Sequence, residues 1–214
     1  MEEVQLWSDV AVDVQTALAA PKTISAITQA DPAVASSTAH GYTDGDILLL
    51  KVNGMIDLDY AVVRVANSTT DSFEIEGVDS TSFRAFISGT AEEITFGASA
   101  DTFTTVSATG GTAEAVLVQT IHRRRGYNKP GNEEPLVFEF GSLWVPSDPA
   151  LVELNKASRA RTIRATRFTF SDGSLGLFAG YASASLVPNG DAGAPVTTPV
   201  TINARGPFQP YEAP

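Results

Sequence analysis

The chain contains no cysteine in 214 residues, which at once excludes disulfide staples, thiolate metal sites and cysteine nucleophiles. Any stability beyond the subunit's own core must come from packing or from partners. Histidine is nearly as scarce: His40 and His122 stand in neither an HxxxH nor an HExxH spacing and read as turn and loop residues rather than metal ligands. The sequence lacks a GxSxG elbow and a phosphate-cradling glycine loop with its lysine, so its abundant serine and glycine carry no hydrolase or nucleotide signature. These gaps predict a protein that is not an enzyme and needs no cofactor, with no catalytic and no metal-ligating residue. Apolar runs are short, none of bilayer length, and Glu2, Glu3 and Asp9 stand where a signal peptide needs a basic start. A soluble product made inside a cell and away from membranes is expected. Positive charge is also in deficit, 14 Lys and Arg against 25 Asp and Glu for a net charge of -11, which argues against general affinity for nucleic acid.

What is present is a foldable composition, 43% hydrophobic and 18% charged, at a length that suits one domain or two small ones. The charge is unevenly placed. Residues 24–97 carry eleven acidic and three basic residues (Lys51, Arg64, Arg84), a net -8, whereas 98–214 are balanced at ten of each and 1–23 contribute -3. Such a change predicts separate surfaces: an N-terminal segment 1–23, an acidic module 24–97 and a main segment 98–214.

The acidic module reads as β. Residues 24–28, 47–52, 60–65 and 83–87 are predicted strands, and Phe73-Glu74-Ile75-Glu76 alternates so that Phe73 and Ile75 face a core. Asp44-Gly45-Asp46 and Asn53-Gly54 supply turns. In the main segment, 113–121 is a strand, 123–131 an exposed loop, and Leu136, Phe138 and Phe140 share one strand face with Val137 and Glu139 on the other. Asp148 as N-cap and Pro149 at the first helical position predict a helix over 149–158 with Leu151 and Leu154 in its stripe. Strand 162–170 turns at Asp172-Gly173 into 175–186, 200–203 gives a last strand, and 190–199 reads equally as an extended arm or as a flexible disordered stretch. Residues 16–21 end a strand or form one helical turn.

Three clusters invite chemistry. Asp44, Asp46, Asp57 and Asp59 offer hard oxygens for calcium, but without a twelve-position loop they read as solvated turn residues. Arg123, Arg124, Arg125 and Lys129 form the sharpest basic cluster, better suited to an acidic protein surface than to DNA in so acidic a chain. Arg159, Arg161 and Arg167 fall on one face, with Arg164 opposite, if the whole run is extended, which suits ion pairing between subunits or strands.

The ordered series Ile24-Ser25-Ala26-Ile27-Thr28, Asp31-Pro32-Ala33-Val34, Ala39-His40-Gly41-Tyr42-Thr43-Asp44-Gly45-Asp46, Asn53-Gly54-Met55, Asp71-Ser72-Phe73-Glu74-Ile75 and Gly77-Val78-Asp79-Ser80-Thr81 resembles a small β module recurrent in structural proteins of tailed bacteriophages. The strand 116–122 with its charged loop, 136–141, the 148–158 helix, 161–173 and 180–188 resemble the tail tube proteins of long, noncontractile-tailed phages. This likeness implies a mainly β fold, a β-sandwich-like tube domain with one packed helix interrupted by a small all-β insertion. It also implies a virion tail protein, made in the host cytoplasm, that self-associates into stacked, usually hexameric rings enclosing a DNA channel. The tape-measure protein and tail-tip or terminator proteins would be partners, and DNA would pass without specific binding. Glu114, Glu133, Glu134, Glu139 and Asp172 are the candidates for a negative bore; Arg123, Arg124, Arg125, Lys129, Arg159, Arg161 and Arg167 are the candidates for contacts between subunits or rings. Other readings are a tail terminator, baseplate or capsid decoration protein, and a carbohydrate-binding module that stacks sugars on Tyr42, Tyr60 or Trp144.

Overall fold

The computed structural model describes residues 6–122 and 124–213. Its strands in chain order are β1 (Ala11–Leu18), β2 (Lys22–Ile24), β3 (Ala26–Ile27), β4 (Ala33–Ser36), β5 (Ile47–Asn53), β6 (Val62–Ala66), β7 (Ser72–Ile75), β8 (Ser88–Ser99), β9 (Phe103–Thr109), β10 (Ala113–Val118), β11 (Tyr127–Glu133), β12 (Val137–Leu143), β13 (Ile163–Thr169), β14 (Leu175–Ala184), β15 (Thr197–Ala204) and β16 (Gln209–Tyr211), and α1 (Pro149–Ala160) is the one α-helix among the described residues.

The fold is mainly β and antiparallel. One path of neighbours runs β3-β4-β7-β6-β5-β8-β1-β13-β14-β15-β12-β9, with β2 added on β8 and β16 on β14, while β10 and β11 pair only with each other. The path curls over itself. Phe138 of β12 and Phe168 of β13 are separated by two strands, yet their ring centroids lie 5.8 Å apart. A flat sheet would hold those strands about 14 Å apart, so β12 must lie across from β13, which is sandwich packing. Phe138 and Phe178 stack at 4.2 Å inside this fold, where Phe140, Leu151 and Leu154 are also fully buried.

A separate buried cluster is drawn wholly from residues 24–91, around Leu48, Leu50, Val63, Phe73 and Ile75. A third joins the two: Ile47, Leu49, Val62 and Ile94 pack against Ala165, Leu177, Ala179 and Tyr211. On β5, alternation explains this division. Leu48 and Leu50 point into the first cluster while Ile47 and Leu49, one residue out of phase, point at the second sheet half. β8 then runs unbroken past position 97, pairing with β5 over its first half and with β1 over its second.

Several expectations need correction. Residues 83–87 form no strand; the chain turns there, and the strand begins at Ser88. Within 123–131 the loop is shorter than expected, because Tyr127–Glu133 pairs with Ala113–Val118. Residues 16–18 continue β1 as strand. No extended arm occupies 190–199: Asn189 and Thr197 exchange backbone hydrogen bonds of 2.8 Å and close the stretch into a loop, after which β15 begins. Pro199 is tolerated inside β15 because the pairing with β14 starts only at Val200. Strands β4, β8, β9 and β16 carried no expectation; β9 is a Thr/Ser-rich edge and β16 only three residues around Pro210.

Candidate assembly interface

The β10–β11 hairpin has almost no buried side chain. Val116, Leu117 and Tyr127 are about half exposed and Ile121 at the tip is 97% exposed. A two-stranded ribbon is marginal on its own in water. Exposed apolar groups on such a ribbon mark a surface built to be covered. The hairpin tip holds Arg124 and Arg125, and Lys129 lies in β11. Among the described residues these three side chains have no ion-pair or hydrogen-bond partner. Arg123 lies outside the described residues. A second open element is β9, which pairs with β12 on one side and with no other strand among the described residues; Thr104, Thr105, Ser107 and Thr109 are exposed.

The second arginine set is not one extended face. Arg159 sits in the last helical turn and Arg161 is its left-handed cap (φ 54°, ψ 41°), so only Arg164 and Arg167 lie in a strand. The helix persists because Ala157 and Ser158 still accept a hydrogen bond from the cap N–H. Arg167 is used inside the subunit, 2.7 Å from Asp13 of β1 and over the Phe96 ring at 4.7 Å. Arg164 lies 3.8 Å from Glu153 of α1. Arg159 and Arg161 are exposed.

The five carboxylates proposed for a bore are dispersed. Glu114, Glu133 and Glu134 meet at the hairpin root, where Glu133 and Glu134 line a cleft of about 600 Å³ with Asp57, Asp59 and Arg205. Glu139 stands on the exposed face of β12 between Ser107 and Thr201. Asp172 caps its own turn, accepting from Ser174 N–H (2.8 Å) and Oγ (2.7 Å), bonds that hold its carboxyl below the usual range.

The residues offered for sugar or metal binding are otherwise occupied. Tyr42 is buried, its hydroxyl donates to Ala91 O at 2.8 Å, and burial together with Glu93, Glu92 and Asp46 pushes it up to about 12. Tyr60 lies under Arg205 (5.0 Å), and Trp144 Nε1 donates to Leu186 O at 2.9 Å. His40 is buried against Tyr42 and Phe73; its Nδ1 accepts the Tyr42 N–H at 3.0 Å, leaving Nε2 to donate to Ser72 O. The two aspartate pairs stand on opposite sides of β5 in the chain, Asp44 and Asp46 before it and Asp57 and Asp59 after it. Among the described residues no group of three or more His, Asp or Glu is placed to hold a metal. No helix is long and apolar enough to cross a membrane.

The C-terminal strap was not legible beforehand. Tyr211 of β16, buried against β14, accepts the backbone N–H of Arg64 in β6 at 3.0 Å. The Arg64 guanidinium lies 4.9 Å over the Tyr211 ring, donates to Glu212 O at 3.1 Å and grips Glu76 with two hydrogen bonds. These partners are about 150 residues apart in sequence, so no local pattern announces them.

The uncovered hairpin and the strand edge left unpaired among the described residues are surfaces suited to contact with another chain. The comparison with protein families agrees and is more particular. The family model of phage tail tube proteins (TTP) matches residues 53–213, and the chain belongs to that family. It is therefore a structural protein of the phage virion, a component of the tail. The matched span begins at the end of β5, inside the acidic segment. No curated protein matches the chain.

Proposed function

We propose that the protein self-assembles into stacked rings that form the tail tube and enclose a conduit for DNA. The β10–β11 hairpin carries this reading, because a marginal ribbon with exposed Val116, Leu117, Ile121 and Tyr127 gains most of its stability from a neighbouring copy. The edge of β9 left unpaired among the described residues offers backbone donors and acceptors for lateral pairing, and repetition of such a heterologous contact around a closed rotation makes a ring. Residues 24–97 act in this reading as a module inserted between 1–23 and 98–214, supported by their own buried cluster and held on the tube body by the third one. Arg124, Arg125, Lys129, Arg159 and Arg161 are assigned to contacts between copies. Arg167 is not, since Asp13 already pairs with it.

Of the five carboxylates, Glu139 is assigned to the bore: it alone lies in a strand of the large sheet, on that strand's exposed face. A negative lining repels phosphate and keeps a passing genome from adhering. The tape-measure and terminator proteins would meet the tube at its bore and ends. Negative-stain imaging over a concentration series tests the proposal. Rings and hollow tubes are expected from the intact chain, and monomers from a variant in which 113–133 is replaced by a short Gly-Ser link. Discrete rings that never stack would assign the protein to the tail terminator instead, and monomers at every concentration would remove the self-assembly reading.

A further inference from the structure

The two ends of the acidic module differ in a way that gives the subunit a polarity. β5 runs about 20 Å from Ile47 to Asn53 at the usual rise per residue. At its far end, Ile56 and Asp57 line the same cleft as Gly111, Glu133, Glu134 and Pro135, so the root of the basic hairpin lies there. At its near end is a different surface. Ala39, Gly41, Tyr42, Thr43, Asp44 and Thr70 help line an open groove of about 700 Å³.

Asp44 lines this groove, Asp46 and Asp71 bond to residues that line it, and Glu74 of β7 stands beside it. Asp44 accepts from Ser68 N–H (2.7 Å), Asp46 from Thr43 N–H (2.7 Å), Asp71 from Ala39 N–H (2.9 Å) and Glu74 from Asn67 Nδ2 (2.7 Å). No cationic side chain pairs with any of them among the described residues. The module's cations are engaged elsewhere or distant in sequence: Lys51 holds Glu92, Arg64 holds Glu76, and Arg84 lies in the loop before β8. The subunit thus leaves a concave negative surface uncompensated at one end and carries an uncompensated positive ribbon, rooted at the other. Within one copy none of the ribbon's three cations, Arg124, Arg125 and Lys129, pairs with any of these four carboxylates. Repeated from copy to copy the two surfaces form a heterologous, head-to-tail contact, which stacks copies where no rotation closes it.

We infer that the basic hairpin of one copy docks with Arg124, Arg125 and Lys129 on the Asp44/Asp46/Asp71/Glu74 groove of a second copy in the next ring, making the acidic module the axial receptor of the tube. This rests on the self-assembly reading and names the partner of its hairpin. The groove suits an arginine, whose planar fork grips a carboxylate with two hydrogen bonds. A lysine is a poorer match there.

The test uses the full chain carrying Arg124→Lys and Arg125→Lys, assembled from equal parts of unlabelled and 15N-labelled subunits and treated with a carbodiimide that joins amines to touching carboxylates. Mass spectrometry should find mixed-isotope cross-links from positions 124, 125 or 129 to Asp44, Asp46, Asp71 or Glu74. Tubes whose mixed-isotope links from those positions run only to carboxylates in 98–214, or that give no such links, overturn the inference and leave self-assembly standing. Failure of the intact chain to form any ring or tube removes both. A paired arm uses Arg124→Glu with Arg125→Glu, which lie on the exposed hairpin and spare the core: stacking should fall at least tenfold while lateral rings persist, and unchanged stacking counts against the docking. If the intact subunit instead retains short duplex DNA and this variant does not, phosphate is the partner and the inference is wrong.

Discussion

Replacing Tyr211 with Phe removes one oxygen atom and tests whether the C-terminal strap fixes the acidic module to the tube body. The ring stays, and with it the packing against β14 and the stacking under Arg64. What is lost is the acceptor for the Arg64 N–H, at 3.0 Å between two residues that are 6% and 8% exposed. A buried donor left without a partner costs about 1–3 kcal/mol. Destabilisation of about 2 kcal/mol is therefore expected, equivalent to about 4–8 °C in melting temperature for a chain of this size. The alkaline limb supplies an independent check. Burial, only partly offset by Arg64, pushes Tyr211 up to about 12. Its unfolded value is near 10, so the folded state holds the proton more tightly; that contribution is complete below pH 10 and is lost as pH rises through 12. The loss amounts to about 3 kcal/mol over two pH units at about 1.4 kcal/mol each. Urea unfolding of the unassembled subunit at pH 7 and at steps from 9 to 12, with hydrogen exchange read at the Arg64 amide, measures both. A variant within 0.5 kcal/mol of the parent, with equal protection at Arg64 and an equal alkaline slope, would refute the latch.

Asp148 caps α1 through Leu151 N–H at 3.0 Å and also accepts from Thr102 Oγ1 (3.0 Å) and Asp101 N–H (3.2 Å). Asp148→Ala is expected to cost about 2–3 kcal/mol, a cap plus the two further hydrogen bonds its carboxylate accepts, and Asp148→Asn distinctly less; thermal melts of the two variants give the comparison. Arg161 closes the helix in the left-handed region, where glycine has no side-chain penalty. Arg161→Gly should raise stability by about 0.5–1 kcal/mol in urea, and if it also slows tube growth in light scattering, Arg161 touches a neighbour as proposed.

Legibility followed the range of the interaction. The helix was readable because Asp148, Pro149, Leu151 and Leu154 act within one or two turns, and it ran only two residues further than expected, to Ala160. Phe138 and Phe140 were readable because strand alternation places both on one face, and both are buried. Residues 83–87 misled because Phe83 and Phe86 are apolar enough for a strand, yet they pack as partly buried side chains on the module core from a loop. The hairpin strand β11 was hidden by Gly126, Pro130 and Gly131, turn formers that an exposed two-stranded ribbon tolerates at its open edges. Among the expected assembly residues, the pattern located the arginines but not their partners: whether Arg167 served a neighbour or its own Asp13 depended on β1 lying beside β13, more than 150 residues away.

By itself the sequence determined that this chain folds from short antiparallel strands with one helix, that it has no thiol chemistry, and that its negative charge is concentrated between residues 24 and 97. Those properties follow from composition, from periods of two and 3.6, and from caps, all of which act between residues a few positions apart. Tertiary structure decided which cations stayed uncompensated, that the acidic groove and the hairpin root lie at opposite ends of β5, and that Tyr211 ties the last strand to Arg64. Each of these is a juxtaposition made by sheet order and curl. Chain topology brings such groups together across distances over which no local pattern carries information.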